Sequence, residues 1–258
     1  LISYCVACYR PVYARQLIDD LIDKTAVAFE ILLWMNITDA DFDEFLKQRI
    51  AGGAPIRIIG RTPENIGMSA YPRLFAESSF DMIVQIDDDV VCISRNIASV
   101  ARRAFDRFPN VWMLTADVWQ DEYTTGARPP MNQYRTVDRR YGLHEGPIDG
   151  WFSVYRRAAV ALCAGIDPGR YGYLGSAICA RLRAHRRRGL LCTGMKVFHV
   201  TGPYYASYFG SFESEIAKYR LVGREDMVAY YEAERDRIPP HEELAGRVER
   251  IREHLGSY

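Results

Sequence analysis

Apolar positions along the first 118 residues switch repeatedly between strand-like and helix-like spacing. Ile2–Tyr9 is a near-continuous apolar stretch ended by Arg10-Pro11, and it reads as a strand. Leu17, Ile18, Leu21 and Ile22 then repeat at helical spacing. Phe29–Met35 is apolar without alternation, as expected of a strand buried on both faces. A polar helix over Asp39–Arg49, a strand at Ile56–Ile59 and a helix over Asn65–Ser78 follow, with Pro72 predicting a first-turn break. Met82–Ile86 is the next strand and runs directly into Asp87-Asp88-Asp89. Ser94 is placed to cap a helix whose Ile97, Val100, Ala101, Ala104, Phe105 and Phe108 share one face, and Val111–Ala116 is again a strand. This β-α-β-α order predicts an α/β fold with a mainly parallel sheet and right-handed crossovers.

The pattern breaks at residues 119–147, which hold adjacent prolines, arginines and aromatics and read as a long functional loop. Trp151–Tyr155 resumes as a strand, a helix lies near Arg157–Ala164, and Leu174, Ile178 and Leu182 mark another helix running to Gly189. Arg186-Arg187-Arg188-Gly189 reads as a helix end, with cations on its last turn and glycine as the residue that stops it. Leu190–Val200 is the last strand region. Beyond residue 211 the chain is helical, and Leu244, Val248, Ile251 and Leu255 form the docking stripe of the final helix. One α/β domain over 1–210 and a helical extension over 211–258 are therefore expected.

Composition narrows the class. The 258 residues are 48% hydrophobic, with 33 basic and 33 acidic side chains, values that exclude a disordered chain and a coiled-coil rod. No apolar run reaches membrane-spanning length, and the first residues lack a signal-peptide layout. Cys5 and Cys8 form a C-x-x-C inside the first strand, with no second pair to complete a zinc site, so buried thiols and a cytoplasmic location are expected.

The chemistry concentrates at Asp87-Asp88-Asp89. Adjacent carboxylates at the carboxyl end of a parallel strand repel one another until a cation or hydrogen-bond donors neutralise them. Alternation along an extended chain directs Asp87 and Asp89 to one side, where both could hold one divalent metal.

These residues resemble the nucleotide-sugar glycosyltransferases of the GT-A fold, especially the large family 2 group. Ser3–Pro11 is similar to the opening strand and turn of that family, Asn65-Ile66-Gly67 to its Asn-x-Gly segment, and Asp87-Asp88-Asp89 to its metal-binding Asp-x-Asp. Gly150-Trp151-Phe152-Ser153 with Arg156-Arg157 resembles its acceptor-side strand, and Val197-Phe198-His199 falls where a metal-ligating histidine often closes the site.

The resemblance implies a metal-dependent transfer of a sugar from a nucleoside-diphosphate sugar, UDP being the first expectation, to a hydroxyl acceptor. Residues 1–118 would be the donor half and 119–210 the acceptor half. The metal would be Mn²⁺, or Mg²⁺, on Asp89 and His199, with Asp87 a ligand or a ribose contact. Tyr9, Arg10, Pro11, Asn36, Asn65, Gly67, Asp87 and Asp88 would bind the donor. Trp119, Arg128, Gly150, Trp151, Arg170 and Tyr173 would bind the acceptor. In the family a carboxylate after the second strand commonly holds the base; here Asn36 stands there, with Asp39 three residues on, so base recognition differs.

One expected part is missing. The family's catalytic base usually opens the helix before the last strand, where this chain reads Tyr171-Gly-Tyr-Leu-Gly175-Ser176. Residues 168–212 contain no Asp or Glu at all, against six Arg and one Lys. Asp149 is the first candidate for the base and Asp167 the second. A retaining mechanism and a non-catalytic sugar-nucleotide or glycan-binding relative stay open beside them. The Arg- and Tyr-rich segment 119–147 suits a sugar acceptor and also keeps a nucleic-acid acceptor open. Gly202–Gly210, aromatic between glycines, is either a lid or a linker docking the last helices. The zero net charge is thus a sum of unlike segments: residues 1–94 carry 8 basic and 14 acidic side chains, residues 168–212 carry 7 basic and none acidic.

Overall fold

In the computed structural model, which describes residues 1–170 and 172–257, the apolar runs become strands and the stripes become their covering helices. The order is β1 (Ile2–Cys8), α1 (Pro11–Lys24), β2 (Phe29–Met35), α2 (Ala40–Ala51), β3 (Ile56–Arg61), α3 (Tyr71–Glu77), β4 (Met82–Ile86), β5 (Val90–Ile93) and α4 (Ile97–Arg107). There follow β6 (Val111–Val118), β7 (Arg135–Asp138), β8 (Leu143–Glu145), β9 (Phe152–Arg156), α5 (Arg157–Leu162), α6 (Leu174–Ala184) and β10 (Arg188–His199). The chain continues through α7 (Pro203–Tyr208), α8 (Phe212–Leu221), α9 (Glu225–Glu234) and α10 (His241–Gly256).

The strands form one sheet in the order β3-β2-β1-β4-β9-β6-β10-β8-β7, with β5 paired to β10 off this path. β3, β2, β1 and β4 are mutually parallel, as are β6 and β10, while β9 runs antiparallel between β4 and β6. The fold is therefore the mainly parallel α/β sheet expected. β1 and β2 are buried almost throughout because helices cover both faces. From β1 the chain steps outward to β2 and β3 on one side, then returns from β3 to place β4 on the other side of β1. That divergence opens a crevice at the strands' carboxyl ends.

Several local expectations are corrected. Pro72 lies in the first turn of α3, after a short 3₁₀ turn at Gly67–Ala70, so the helix starts later than Asn65. Ser94 caps no helix: its hydroxyl accepts from the Lys196 backbone N–H, and α4 starts from Asn96, whose φ is 61°. Segment 119–147 contains the β7–β8 hairpin instead of being loop throughout. The residue in the left-handed conformation after α6 is Arg186 (φ 55°), and Gly189 belongs to β10. The strand after the aspartates, β5, went unpredicted because its four apolar residues follow the acidic turn without a break. Of the segment discussed as the family's base position, Tyr171 lies outside the described residues.

The final helix docks through Val248, Ile251 and Leu255 onto Tyr13, Val91, Phe198 and Tyr205, joining α10 to α1, β5, β10 and α7. Ala206, Phe212, Ile216, Val228 and Tyr231 join α7, α8 and α9. The aromatic stretch 202–210 thus packs inward, with Tyr205 fully buried. All six cysteines are free and buried, and among the described residues no helix is long and apolar enough to cross a membrane.

Gly175 is where α6 meets the corner before β9. A Cβ there would stand 2.4 Å from the Gly150 nitrogen and 2.6 Å from the Asp149 carbonyl carbon, both backbone atoms. Helix propensity alone favours alanine over glycine by about 1 kcal/mol. The contact reverses the sign, and Gly175→Ala is expected to destabilise by about 1–3 kcal/mol, read as a lower urea midpoint.

Candidate active site at the carboxyl ends of the strands

β4 delivers Asp87-Asp88-Asp89 into a turn held by the Asp87 N–H donating to the Trp151 carbonyl (3.0 Å) and Val90 N–H donating to the Asp87 carbonyl (3.1 Å). The chain then reverses into β5, which pairs antiparallel with the end of β10. A register shift between Phe198 and His199, with Val200 N–H donating to the Asp89 carbonyl at 2.8 Å, sets the imidazole against the Asp89 carboxylate. One donor atom each from Asp87, Asp89 and His199 lie within 4.8 Å of one another.

The three aspartates have different partners. Asp88 is buried, and both its oxygens are engaged by the β1–α1 turn: Oδ2 accepts from the Tyr9 and Arg10 backbone N–H groups (2.6 and 2.7 Å), Oδ1 from Arg10 Nη2 (2.8 Å). Pro11, at the first position of α1, needs no acceptor and fixes the helix entry. Asp89 shares Arg10 through Oδ2 (2.7 Å), while its Oδ1 stands 2.9 Å from His199 Nε2, an ion pair when the imidazole is protonated. Asp87 Oδ1, Asp89 Oδ1 and His199 Nδ1 are buried and without a hydrogen-bond partner.

The charges respond accordingly. Burial and the Asp89 charge push the Asp87 carboxyl up. Burial would raise Asp89 too, but Arg10 and His199 outweigh it and hold its carboxyl well below the usual range. Burial would lower His199, yet Asp89 and Asp87 reverse the sign and raise it. Two carboxylates and an imidazole with orphaned buried atoms form a donor set that fits a divalent cation accepting mixed oxygen and nitrogen ligands.

These groups line a cavity of about 370 Å³. Of the residues singled out in sequence, Tyr9, Arg10, Asn36, Asn65, Gly67, Asp87, Asp88, Asp89, Arg170 and His199 lie on its wall. Asn65 Oδ1 accepts from the Gly67 N–H (2.8 Å), and Gly67 has φ 54° with the Arg170 carbonyl where a Cβ would be, so only glycine fits. Asn36 is buried, and its Oδ1 accepts from the Ile66 N–H (3.1 Å) and Thr62 Oγ1 (3.2 Å). Because a backbone N–H can only donate, the amide orientation is fixed, and Nδ2 is left as an unpartnered donor. Asp39 is engaged elsewhere, capping α2 through the Phe42 N–H (2.7 Å).

Other sequence candidates lie apart from this wall. Asp149 Oδ1 accepts from Gly150 N–H (2.8 Å) and Ser176 N–H (3.0 Å), capping α6 from outside the helix, and burial raises its carboxyl. Asp167 is exposed and accepts from Gly169 N–H at 2.9 Å. Trp119 packs edge-on against His254 of α10, Arg128 pairs with Asp117 (2.5 Å), and the Trp151 indole donates to the Ala116 carbonyl (2.8 Å). Gly150 leaves room for the Gln85 amide, which would stand 2.0 Å from a Cβ, and Tyr173 is 73% exposed.

Sequence reasoning missed α8, which walls the cavity with Ser214, Glu215, Ala217, Lys218 and Leu221. Glu215 is buried and bridges Arg10 Nη1 (2.5 Å) and Lys218 Nζ (3.2 Å). The available signal was a carboxylate on the apolar face of a helix, three residues after Phe212 and beside Ile216. Segment 211–258 therefore supplies part of the site.

No protein-family model matches the sequence, and no curated protein matches it. Solved structures do. A mannosyltransferase from Pyrobaculum calidifontis, solved with GDP-mannose and Mn²⁺, superposes with a TM-score of 0.58 at 12% identity over 80% of this chain and 59% of its own. GalNAc-T7, solved with UDP, GalNAc and Mn²⁺, gives 0.62 at 12% identity over 78% of this chain and 43% of its own. TarS of S. aureus, residues 1–349 with UDP-GlcNAc, gives 0.56 at 12% identity over 80% of this chain and 60% of its own. The chain spans roughly half of these larger proteins. With the sheet order and the crevice described above, these superpositions establish that this chain has the GT-A glycosyltransferase fold.

Proposed function

We propose that the protein is a metal-dependent glycosyltransferase that moves a hexosyl group from a nucleoside-diphosphate sugar, UDP-linked in the first instance, to a hydroxyl acceptor. The observation that carries this reading is the convergence of Asp87, Asp89 and His199, with unpartnered buried atoms, in a 370 Å³ cavity at the strands' carboxyl ends. Structures sharing the fold hold nucleotides and Mn²⁺.

Asp87, Asp89 and His199 would hold the divalent ion, which when bound supplies Lewis-acid stabilisation of the leaving diphosphate. The chain's own cations complete the anion site. Arg10 is anchored by Asp88 and Glu215, and Lys218 by Glu215, and both line the cavity, where they would meet the phosphates of a bound donor. Asn36 offers Nδ2 as a donor where a carboxylate would accept, so it selects a base edge presenting a carbonyl oxygen or ring nitrogen. Asp149 takes the proton from the acceptor hydroxyl, its basicity increased by burial. That carboxylate also caps α6 and lies off the cavity wall, an observation that favours the second reading, a binding module without transfer.

The deciding experiment incubates the protein with Mn²⁺ and UDP-, GDP- and dTDP-sugars and follows nucleotide release with and without acceptor extracts. Release abolished by EDTA and lowered about 100-fold by Asp89→Ala is expected, matching the loss of several kcal/mol of charge stabilisation. Asp149→Asn should abolish transfer while leaving donor binding intact, and Asp167→Asn should change neither. Binding without turnover would assign the module reading, and failure to bind any nucleotide sugar would remove both.

Metal binding is also linked to pH. His199 and Asp87 are both raised, so the folded apoprotein binds more protons than the unfolded chain near neutrality. Their contribution to stability is present at low pH and declines as pH rises through the folded values. Metal ligation needs both groups deprotonated. The rise in melting temperature produced by saturating Mn²⁺ should therefore be larger at pH 8 than at pH 6, and Asp89→Ala should remove it at both. An equal or larger rise at pH 6 would exclude this ligand set.

A further inference from the structure

The basic stretch between the acceptor-side strand and the aromatic segment has a location that the donor site does not use. β10 runs from Arg188 to His199 and bulges between Cys192 and Lys196, so along its ladder with β6, at about 3.3 Å per residue, its first residue lies roughly 25 Å from the candidate metal ligands. Around that first residue an open cleft of about 590 Å³ is formed by the end of α6, the start of β10 and the β7–β8 hairpin. Its charged lining is Arg135, Arg183, Arg186, Arg187 and Arg188, against the single carboxylate Glu145.

The pairing in this cleft is incomplete. Glu145 is shared by Arg135 and Arg188, and the Arg187 guanidinium stacks over the Trp112 ring at 4.4 Å. Arg183 and Arg186 are exposed and form no side-chain hydrogen bond or ion pair among the described residues. Arg186 also holds the left-handed backbone (φ 55°) that glycine would adopt without strain. A helix stop needs only the backbone conformation. Arginine there places a guanidinium at the cleft, and strain kept at one surface position points to use of its side chain.

We infer that this cleft binds the phosphodiester backbone of a nucleic acid at a site separate from the sugar-donor cavity. Five guanidinium groups against one carboxylate leave four uncompensated charges, more than a single phosphate group neutralises. Successive phosphates along a strand match that number and spread. The arginine fork binds phosphate oxygens in pairs. A lipid surface is a poorer match, because half-buried Val137 is the one apolar side chain of the lining and leaves nothing to insert among acyl chains. The inference does not depend on the proposed transferase activity.

The test is fluorescence anisotropy of a labelled single-stranded 20-mer oligonucleotide with the full chain in EDTA, which leaves the metal site out of the measurement. Saturable binding is expected, with log K falling against log salt at a slope of about −3, the value for four phosphates at about 0.7 each. Arg183→Ala with Arg186→Gly should weaken binding at least tenfold at low salt and bring the slope to about half. Glycine suits the left-handed position, so this double variant keeps its fold, checked by an unchanged melting temperature. Lys218→Ala, on the donor cavity, should leave oligonucleotide binding as it was. No saturable binding, binding indifferent to the double variant, or preferential capture by vesicles containing phosphatidylserine would each overturn the inference.

Discussion

Everything at the centre of this protein follows from three carboxylates ending one buried strand. Asp87, Asp88 and Asp89 cannot share so small a volume without compensation, and each receives it differently. Asp88 is neutralised inside the fold by Arg10 and two backbone N–H groups, which locks β4 to the β1–α1 turn. Removing one partner from such a buried pair typically costs about 3–5 kcal/mol, so this aspartate is as much a part of the scaffold as the apolar core. Asp89 is half compensated by Arg10 and faces His199 with its other oxygen. Asp87 keeps a buried oxygen without any partner. The gradient from satisfied to unsatisfied across three consecutive residues is what separates framework from chemistry.

The same requirement organises more distant elements. Arg10 extends past the aspartates to Glu215, which in turn holds Lys218, so α8 is drawn onto the mouth of the strands by charge, while Phe212 and Ile216 pack it against α7 and α9. α8 is thereby a wall of the cavity. Below it, Tyr13, Phe198, Tyr205 and the stripe of α10 make the apolar floor on which that wall rests. The aromatic segment 202–210 belongs to this floor, which explains its composition without any motion.

At the opposite end of β10 the electrostatics reverse. The donor-side end concentrates carboxylates that need cations, whereas the start of β10 concentrates guanidinium groups that need anions. A chain of zero net charge therefore carries two poles, and each is built at one end of the same strand.

The sequence alone determined the alternation of strands and helices, the acidic turn after β4 and the stripe of α10, because each is set by local periodicity or by consecutive residues. Asn65-Ile66-Gly67 was legible too, since its asparagine and glycine close their own turn. The tertiary structure decided what no local pattern contains. His199 meets Asp89 because β5 and β10, about 110 residues apart, pair with a shifted register, and neither strand's composition encodes that shift. Asp88, expected among the donor contacts, is also an anchor held by the Tyr9 and Arg10 backbone N–H groups, and Asp149, the first candidate for the base, also caps α6 through the Ser176 N–H; neither partner is visible locally. Glu215 and Lys218 entered the site only through packing of α8, where a polar residue on an apolar face was their faint signal. Arg186 looked like an ordinary cation at a helix end; its left-handed backbone and its neighbours from a distant hairpin gave it a second meaning. Local physics fixes elements, and the compensation of buried charge across the chain fixes which of their side chains meet.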